Sequence, residues 1–260
     1  MHTSPHQLPE FRPASFLPLH CALGDITIAV DRADPPAPTP SMVERWEAAA
    51  AANPRLFNGS LLRFHRFDAA TRTIHASNDT YQRYAMQDRP PAVTGEHDHS
   101  RGVSHLAVTG VVIATDADTG REAVVLGKRG EQTFVYPGLW EHAPGGGLET
   151  TEVYEQLLRE MGEELGIRGL DDPARRDELL VPPGSDDVLG LAFDPNMPSV
   201  DVVVRLRLRE GAERALREGS WEYGDTRLVP VDSLPGFLGE QGERAIIPPA
   251  VAIWRAMGWV

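Results

Sequence analysis

A chain of 260 residues with 41% hydrophobic and 24% charged residues holds enough apolar material for a sizeable core and is not a disordered polymer. Its 25 basic and 38 acidic side chains leave a formal charge of −13, which argues against general nucleic-acid binding and against docking to anionic membranes. The single cysteine, Cys21, allows no disulfide within the chain. With no basic-then-apolar leader and no apolar run near the ~20 residues of a membrane span, the expected setting is cytoplasmic.

Residues 1–22, rich in Pro and His and without a period, read as an irregular arm. Residues 24–31 (GDITIAVD) alternate and are β-branched, which predicts a strand. Four prolines within 33–40 impose a loop. Ser41, with Glu44 three residues on, opens a helix in a capping-box pattern, and Asn53-Pro54 closes it. Residues 60–67 and 72–76 predict a hairpin, 79–86 a short helix, and 87–101 a polar link. Residues 23–101 therefore form an N-terminal α+β extension, and 102–260 the main domain.

In that domain, 103–115 and 121–129 read as strands around a turn at 116–120, followed by a short strand at 140–142 and a glycine loop. A helix spans 150–165 and stops at Gly166, the usual residue just past a helix end. Strands follow at 187–193 and 200–209, a helix at 210–217, a strand at 226–231 and a closing helix at 248–257. Interleaved helices and strands set the class as α/β (α+β).

Chemistry concentrates in residues 144–167, PGGGLETTEVYEQLLREMGEELGI. At ~100° per residue, Glu160, Glu163 and Glu164 fall within an arc of about 100°. Val153, Leu157, Met161 and Leu165 form an apolar stripe on a neighbouring face. Three crowded carboxylates repel one another unless a cation compensates, and oxygen donors select hard ions, Mg²⁺ or Mn²⁺. A glycine turn can bring bare backbone close to a ligand. Such a cluster suits hydrolysis of a phosphate ester or anhydride; the plainer alternative is a solvated acidic helix face. Lys128 and Arg129 end a strand that can face this cluster and meet a phosphate, or else form a surface pair.

The run Arg159-Glu160-Met161-Gly162-Glu163-Glu164-Leu165-Gly166-Ile167 matches the second half of the Nudix box, REUxEExGU, at every defined position. The preceding Pro144-Gly145-Gly146 resembles that family's entry loop. The resemblance implies an α/β/α sandwich with a mixed sheet. It implies Glu160, Glu163 and Glu164 as metal ligands, a carbonyl from Gly145 or Gly146, and Arg159 orienting the glutamates. It also implies Mg²⁺ (or Mn²⁺) as cofactor and a small nucleoside diphosphate derivative as partner. A base in such enzymes often comes from a later loop, here 221–225, where Glu222 and Asp225 are candidates. The first half of the box departs from the pattern: Thr151 stands where counting back from Arg159 expects Glu, and aligning on the glycines instead selects Glu152 but leaves one residue too few before Arg159.

Short pieces before and after this core, from Trp46 and Arg55-Leu56-Phe57-Asn58-Gly59 to Met197-Pro198-Ser199-Val200-Asp201 and Ala245-Ile246-Ile247, resemble the UDP-glucose/UDP-galactose diphosphatases with an N-terminal extension. That branch implies cleavage of a UDP-sugar to UMP and a sugar 1-phosphate. The alternatives are another diphosphate substrate (ADP-ribose, an oxidised nucleotide, a dinucleotide, a non-nucleotide diphosphate) or a Nudix-fold binding module without turnover. Trp46, Phe57, Phe64 and Tyr84 read as core packing of the extension, with one or two available to stack on a base. The tract Glu96-His97-Asp98-His99 reads as flexible link rather than metal site. Oligomeric state is open.

Overall fold

The computed structural model describes residues 11–87, 102–115, 120–216 and 222–260. The Glu96-His97-Asp98-His99 tract, most of the expected turn at 116–120, and Trp221 lie outside them.

Among the described residues eleven strands form one mixed sheet. Its spine is β5 (Ser104–Thr115), apolar along most of its length and covered on both faces. β5 runs parallel to β10 (Ser199–Arg207), with Val202 opposite Val108. It runs antiparallel to β3 (Ser60–Asp68), β6 (Glu122–Arg129) and the three glycines of β8 (Gly145–Gly147). Beyond β10 lie β9 (Val188–Asp194) and then β1 (Ser15–Cys21). Beyond β3 lie β4 (Thr73–Thr80) and β2 (Thr27–Asp31). β7 (Trp140–His142) and β11 (Tyr223–Pro230) both pair with β6.

The period-two alternation of β5 sorts the core into two layers. Leu106, Val108, Val112 and Ala114 join Leu157, Met161 and Leu165 of α3 (Val153–Glu164) in one cluster. Val111 and Ile113 join Ala250, Val251, Ile253 and Trp254 of α6 (Pro248–Ala256) in the other. The sheet therefore sits between α3 and α6, the sandwich expected from the sequence. The stripe Val153, Leu157, Met161 and Leu165 is buried as its spacing requires, and Gly166 ends the helix at a φ of 71° that a side chain would strain.

Strands before residue 102 share this core. Leu62, Phe64, Ile74 and Ala76 from β3 and β4 lie in the same cluster as α3, and β3 hydrogen-bonds to β5. α1 (Pro40–Ala52) and α2 (Tyr81–Met86) pack on each other at its edge.

Several local expectations are corrected. Residues 15–21 are not irregular: β1 pairs antiparallel with β9, Ser15 opposite Phe193. The cap of α1 is Thr39, whose Oγ1 accepts from the Met42 backbone N–H at 3.3 Å, and Ser41 lies inside the helix. Asp79 and Thr80 belong to β4, so α2 starts later than expected. The glycine loop includes a strand, β8. In 210–217 the described part is a single 3₁₀ turn, Ala212–Ala215. β11 begins at Tyr223 rather than 226. Two helices went unforeseen: α4 (Pro173–Leu179) and α5 (Leu234–Gln241). Among the described residues no helix is long and apolar enough to cross a membrane.

Candidate active site

Glu160 and Glu164 stand one helical turn apart on α3 and face β8, while Glu163 is exposed. Glu164 is only 3% exposed. Its Oε2 accepts the Gly145 backbone N–H at 2.9 Å and lies 3.2 Å from the Tyr223 hydroxyl. That hydroxyl is also 3.0 Å from Glu141 Oε1, which in turn receives Arg129 Nη1 at 2.5 Å. Arg129 Nε donates to the Val135 carbonyl, so its guanidinium is held at both ends.

Two of the glycines in β8 make room on opposite sides. A Cβ at Gly146 would fall 2.3 Å from Glu160 Oε1, and one at Gly147 would fall 2.4 Å from His105 Nε2. The glycine strand thus lets a carboxylate approach on one side and an imidazole on the other.

The carboxylates are crowded and poorly solvated. Burial, opposed by a hydrogen bond from Gln156, pushes the Glu160 carboxyl up to about 7. Glu164 is held well above the usual carboxylate range, first by burial, then by the hydrogen-bonded carboxyl of Glu222 and by Glu141. Arg159 Nη2 lies 3.8 Å from Glu160 and 3.3 Å from Glu149.

These groups open onto a cavity of about 480 Å³. Gly145, Gly146, Arg159, Glu160, Glu163, Glu164, Glu222 and Arg129 all line it. Lys128 does not: one residue before Arg129 on β6, it takes the other side of the strand. Asp225 does not line it either, and its carboxylate pairs with Arg227. Residues well before β5 supply part of the wall: Asn53, Arg55 and Phe57.

A family model for the NUDIX domain matches residues 104–248, more than half of the chain. The chain belongs to the Nudix family. No curated protein matches it. Similar solved structures include a Nudix hydrolase from M. smegmatis, RenU (19% identity, 60% of this chain and 84% of that one, TM-score 0.41). DR0079 from Deinococcus radiodurans shares 16% identity over 76% and 98% of the two chains, with TM-score 0.44. The NUDIX domain of Shewanella oneidensis NrtR, complexed with ADP ribose, shares 18% over 63% and 92%, with TM-score 0.41.

Within the Nudix box the departure at Thr151 has a local outcome. Neither Thr151 nor Glu152 hydrogen-bonds or ion-pairs with Arg159; Thr151 Oγ1 donates to Glu152 at 3.4 Å. The partner of Arg159 on the loop is Glu149. Among the described residues no three His, Cys, Asp or Glu side chains already converge as an ion site. The donor set nevertheless fits a hard divalent cation: it is all oxygen, and burial leaves Glu160 and Glu164 with a charge penalty that such an ion would relieve.

Sequence reasoning missed Glu141 and Tyr223, which join Arg129 to Glu164. The signal for Glu141 was a carboxylate between Trp140 and His142 in a strand otherwise built for burial. Of the four aromatic residues singled out before residue 102, Phe64 and Tyr84 are buried and Trp46 is half-buried, whereas Phe57 is 78% exposed at the cavity wall.

Proposed function

We propose that this Nudix protein is a Mg²⁺- or Mn²⁺-dependent hydrolase of nucleoside diphosphate derivatives, with a UDP-sugar as substrate and UMP and a sugar 1-phosphate as products. The observation that carries the reading is the gathering of Glu160, Glu164 and Glu222 around the glycine strand at the edge of one cavity. Glu160, Glu163 and Glu164, with a carbonyl of Gly145 or Gly146, would hold the metal. Bound there, the ion would neutralise phosphoryl charge and make water a better nucleophile.

The remaining chemistry belongs to the side chains. Glu222, hydrogen-bonded to Glu164, would take the proton from the attacking water. Its position is fixed through its own carbonyl, which accepts the Gly130 N–H at 2.6 Å. The Tyr223 hydroxyl, which also reaches Glu141, braces Glu164 from behind. Arg159 orients Glu160 and is itself steadied by Glu149. The oxygen of water forms a bond to one phosphorus, the bridging P–O bond breaks, and the departing phosphate keeps the electron pair.

The family match starting at residue 104 supports reading 102–260 as the Nudix domain and 23–101 as an extension to it. Because that extension lines the cavity, we assign it a share in substrate choice. The test is a panel of UDP-glucose, UDP-galactose, ADP-ribose, an oxidised nucleotide and a dinucleotide with Mg²⁺, with products separated and identified. UMP and hexose 1-phosphate from the UDP-sugars, at rates above the rest, support the reading. Faster turnover of another diphosphate would replace the UDP-sugar assignment.

A further inference from the structure

The wall of the cavity beyond the glycine strand carries polar groups that the hydrolytic chemistry does not use. On β5, His105, Ala107 and Thr109 point to one face, and on the parallel neighbour β10 so do Ser199 and Asp201, with Ser199 opposite His105 and Asp201 opposite Ala107. All five line the cavity. Asp201 Oδ2 accepts the Thr109 hydroxyl at 2.8 Å and the carboxyl also takes a hydrogen bond from Ser199, but the Oδ1 atom is buried with no hydrogen-bond partner among the described residues. His105 Nε2 is likewise buried and unpartnered. The imidazole is held between Tyr84, whose ring centre is 4.9 Å away, and the space left by Gly147.

Two orphaned polar atoms in one wall are a standing cost unless a ligand satisfies them. Burial keeps His105 neutral, its pKa pushed down to about 4, so it offers a neutral N–H or lone pair. The Asp201 carboxyl disfavours a phosphate, and a neutral imidazole has no charge to offer one. Hydroxyl groups, which both donate and accept, match an unpaired carboxyl oxygen beside an unpaired ring nitrogen. The small side chain of Ala107 leaves room between them. Glu160 stands on the other side of the glycine strand and lines the same cavity, so the group attached to a diphosphate held at Glu160 has a continuous path to this wall.

We propose that His105, Ser199 and Asp201 form the subsite for the hydroxyl-bearing sugar group of a sugar-linked diphosphate. The inference rests on the diphosphatase reading above and specifies what recognises the group beyond the phosphates. Ser199 and Asp201 fall in one of the short segments singled out in the sequence without a role.

The test is equilibrium binding by calorimetry on the full chain, with Ca²⁺ replacing Mg²⁺ to suppress turnover. The ligand pairs are UDP-glucose against UDP and ADP-ribose against ADP. The unsubstituted chain should bind at least one sugar-linked member about 10-fold more tightly than its partner, the worth of one or two hydrogen bonds. His105→Phe and Asp201→Asn should each bring that ratio close to one. Asp201→Asn is isosteric and keeps an acceptor for Thr109, so it decides the matter if His105→Phe does not fold. A sugar preference that survives substitution, or no preference in the unsubstituted chain, overturns the subsite and leaves the diphosphatase reading intact. A chain that binds and cleaves none of the nucleoside diphosphate derivatives overturns that reading and the subsite with it.

Discussion

Replacing Gly146 with alanine adds one methyl group at the point where the glycine strand meets α3. Its Cβ would lie 2.3 Å from Glu160 Oε1, 2.6 Å from Cδ and 3.1 Å from Cγ. Non-bonded carbon contacts settle near ~3.5–4.0 Å. The carboxylate must therefore withdraw by about 1 Å or swing to another rotamer. The obstructed atoms are the far end of a flexible side chain, so the fold can adapt at little cost, with a change in melting temperature of only a few degrees. The site is less tolerant: displacement of a catalytic group by about 1 Å costs on the order of 10²-fold in rate. The neighbouring glycine provides the control. A Cβ at Gly145 would meet nothing nearer than the Val108 carbonyl at 3.5 Å, an ordinary contact, and its N–H to Glu164 would remain. The assay is kcat/KM on UDP-glucose with saturating Mg²⁺, beside a melting curve for each variant. Gly146→Ala should lose about 10²-fold and Gly145→Ala less than about 5-fold, both folded. Equal losses, or full activity in Gly146→Ala, would refute the placement of Glu160 at the reacting centre.

Glu164→Gln should lower turnover by at least ~10²-fold while circular dichroism shows an intact fold, because the amide keeps the shape but not the charge. Unchanged Mg²⁺-dependent turnover would remove Glu164 from the metal site. Burial raises the Asp201 carboxyl from an ordinary 3.8 to about 6. Since the folded value is the higher one, its favourable contribution is complete below about pH 3.8 and disappears as pH rises through 6. The stability of Asp201→Asn relative to the unsubstituted chain should therefore improve by about 2 kcal/mol between pH 4 and 7, measured by denaturant unfolding; a pH-independent difference would contradict it. A chain beginning at residue 102 loses Leu62, Phe64, Ile74 and Ala76 from the main core and the cavity wall from Asn53 to Leu61. It should fail to fold or lose UDP-sugar turnover, and a folded, fully active form would show that the extension contributes nothing.

The parts of the molecule legible in the sequence are those fixed by local period. The stripe through Val153, Leu157, Met161 and Leu165 defined α3 and its buried side, and Gly166 its end. β5 was plain from its apolar run. Elements held by distant partners were not legible. Ser15–Cys21 contains Pro18 and shows no clean alternation, and it is a strand because β9 offers it an edge. Gly145–Gly147 has no strand propensity at all and is ordered by β5. In the site, the glutamates of α3 could be placed on one arc from sequence, but their burial could not. Which of Lys128 and Arg129 enters the cavity depended on the strand phase, and Gly127, packed under Tyr223, marks the same side as Arg129. Glu141, His105 and Asp201 lie on three different strands with no local signal that joins them, and only the tertiary fold brings them to one cavity.

Metal-dependent cleavage of a diphosphate bond by the carboxylates of α3 is the activity proposed for this chain. Its most direct test is incubation of the full chain with UDP-glucose while Mg²⁺ is titrated, then removed by chelator, with products resolved by chromatography. Equimolar UMP and glucose 1-phosphate, rising with Mg²⁺ and abolished by the chelator, is the predicted result. Absence of both products at saturating Mg²⁺, or release that the chelator leaves untouched, would contradict it.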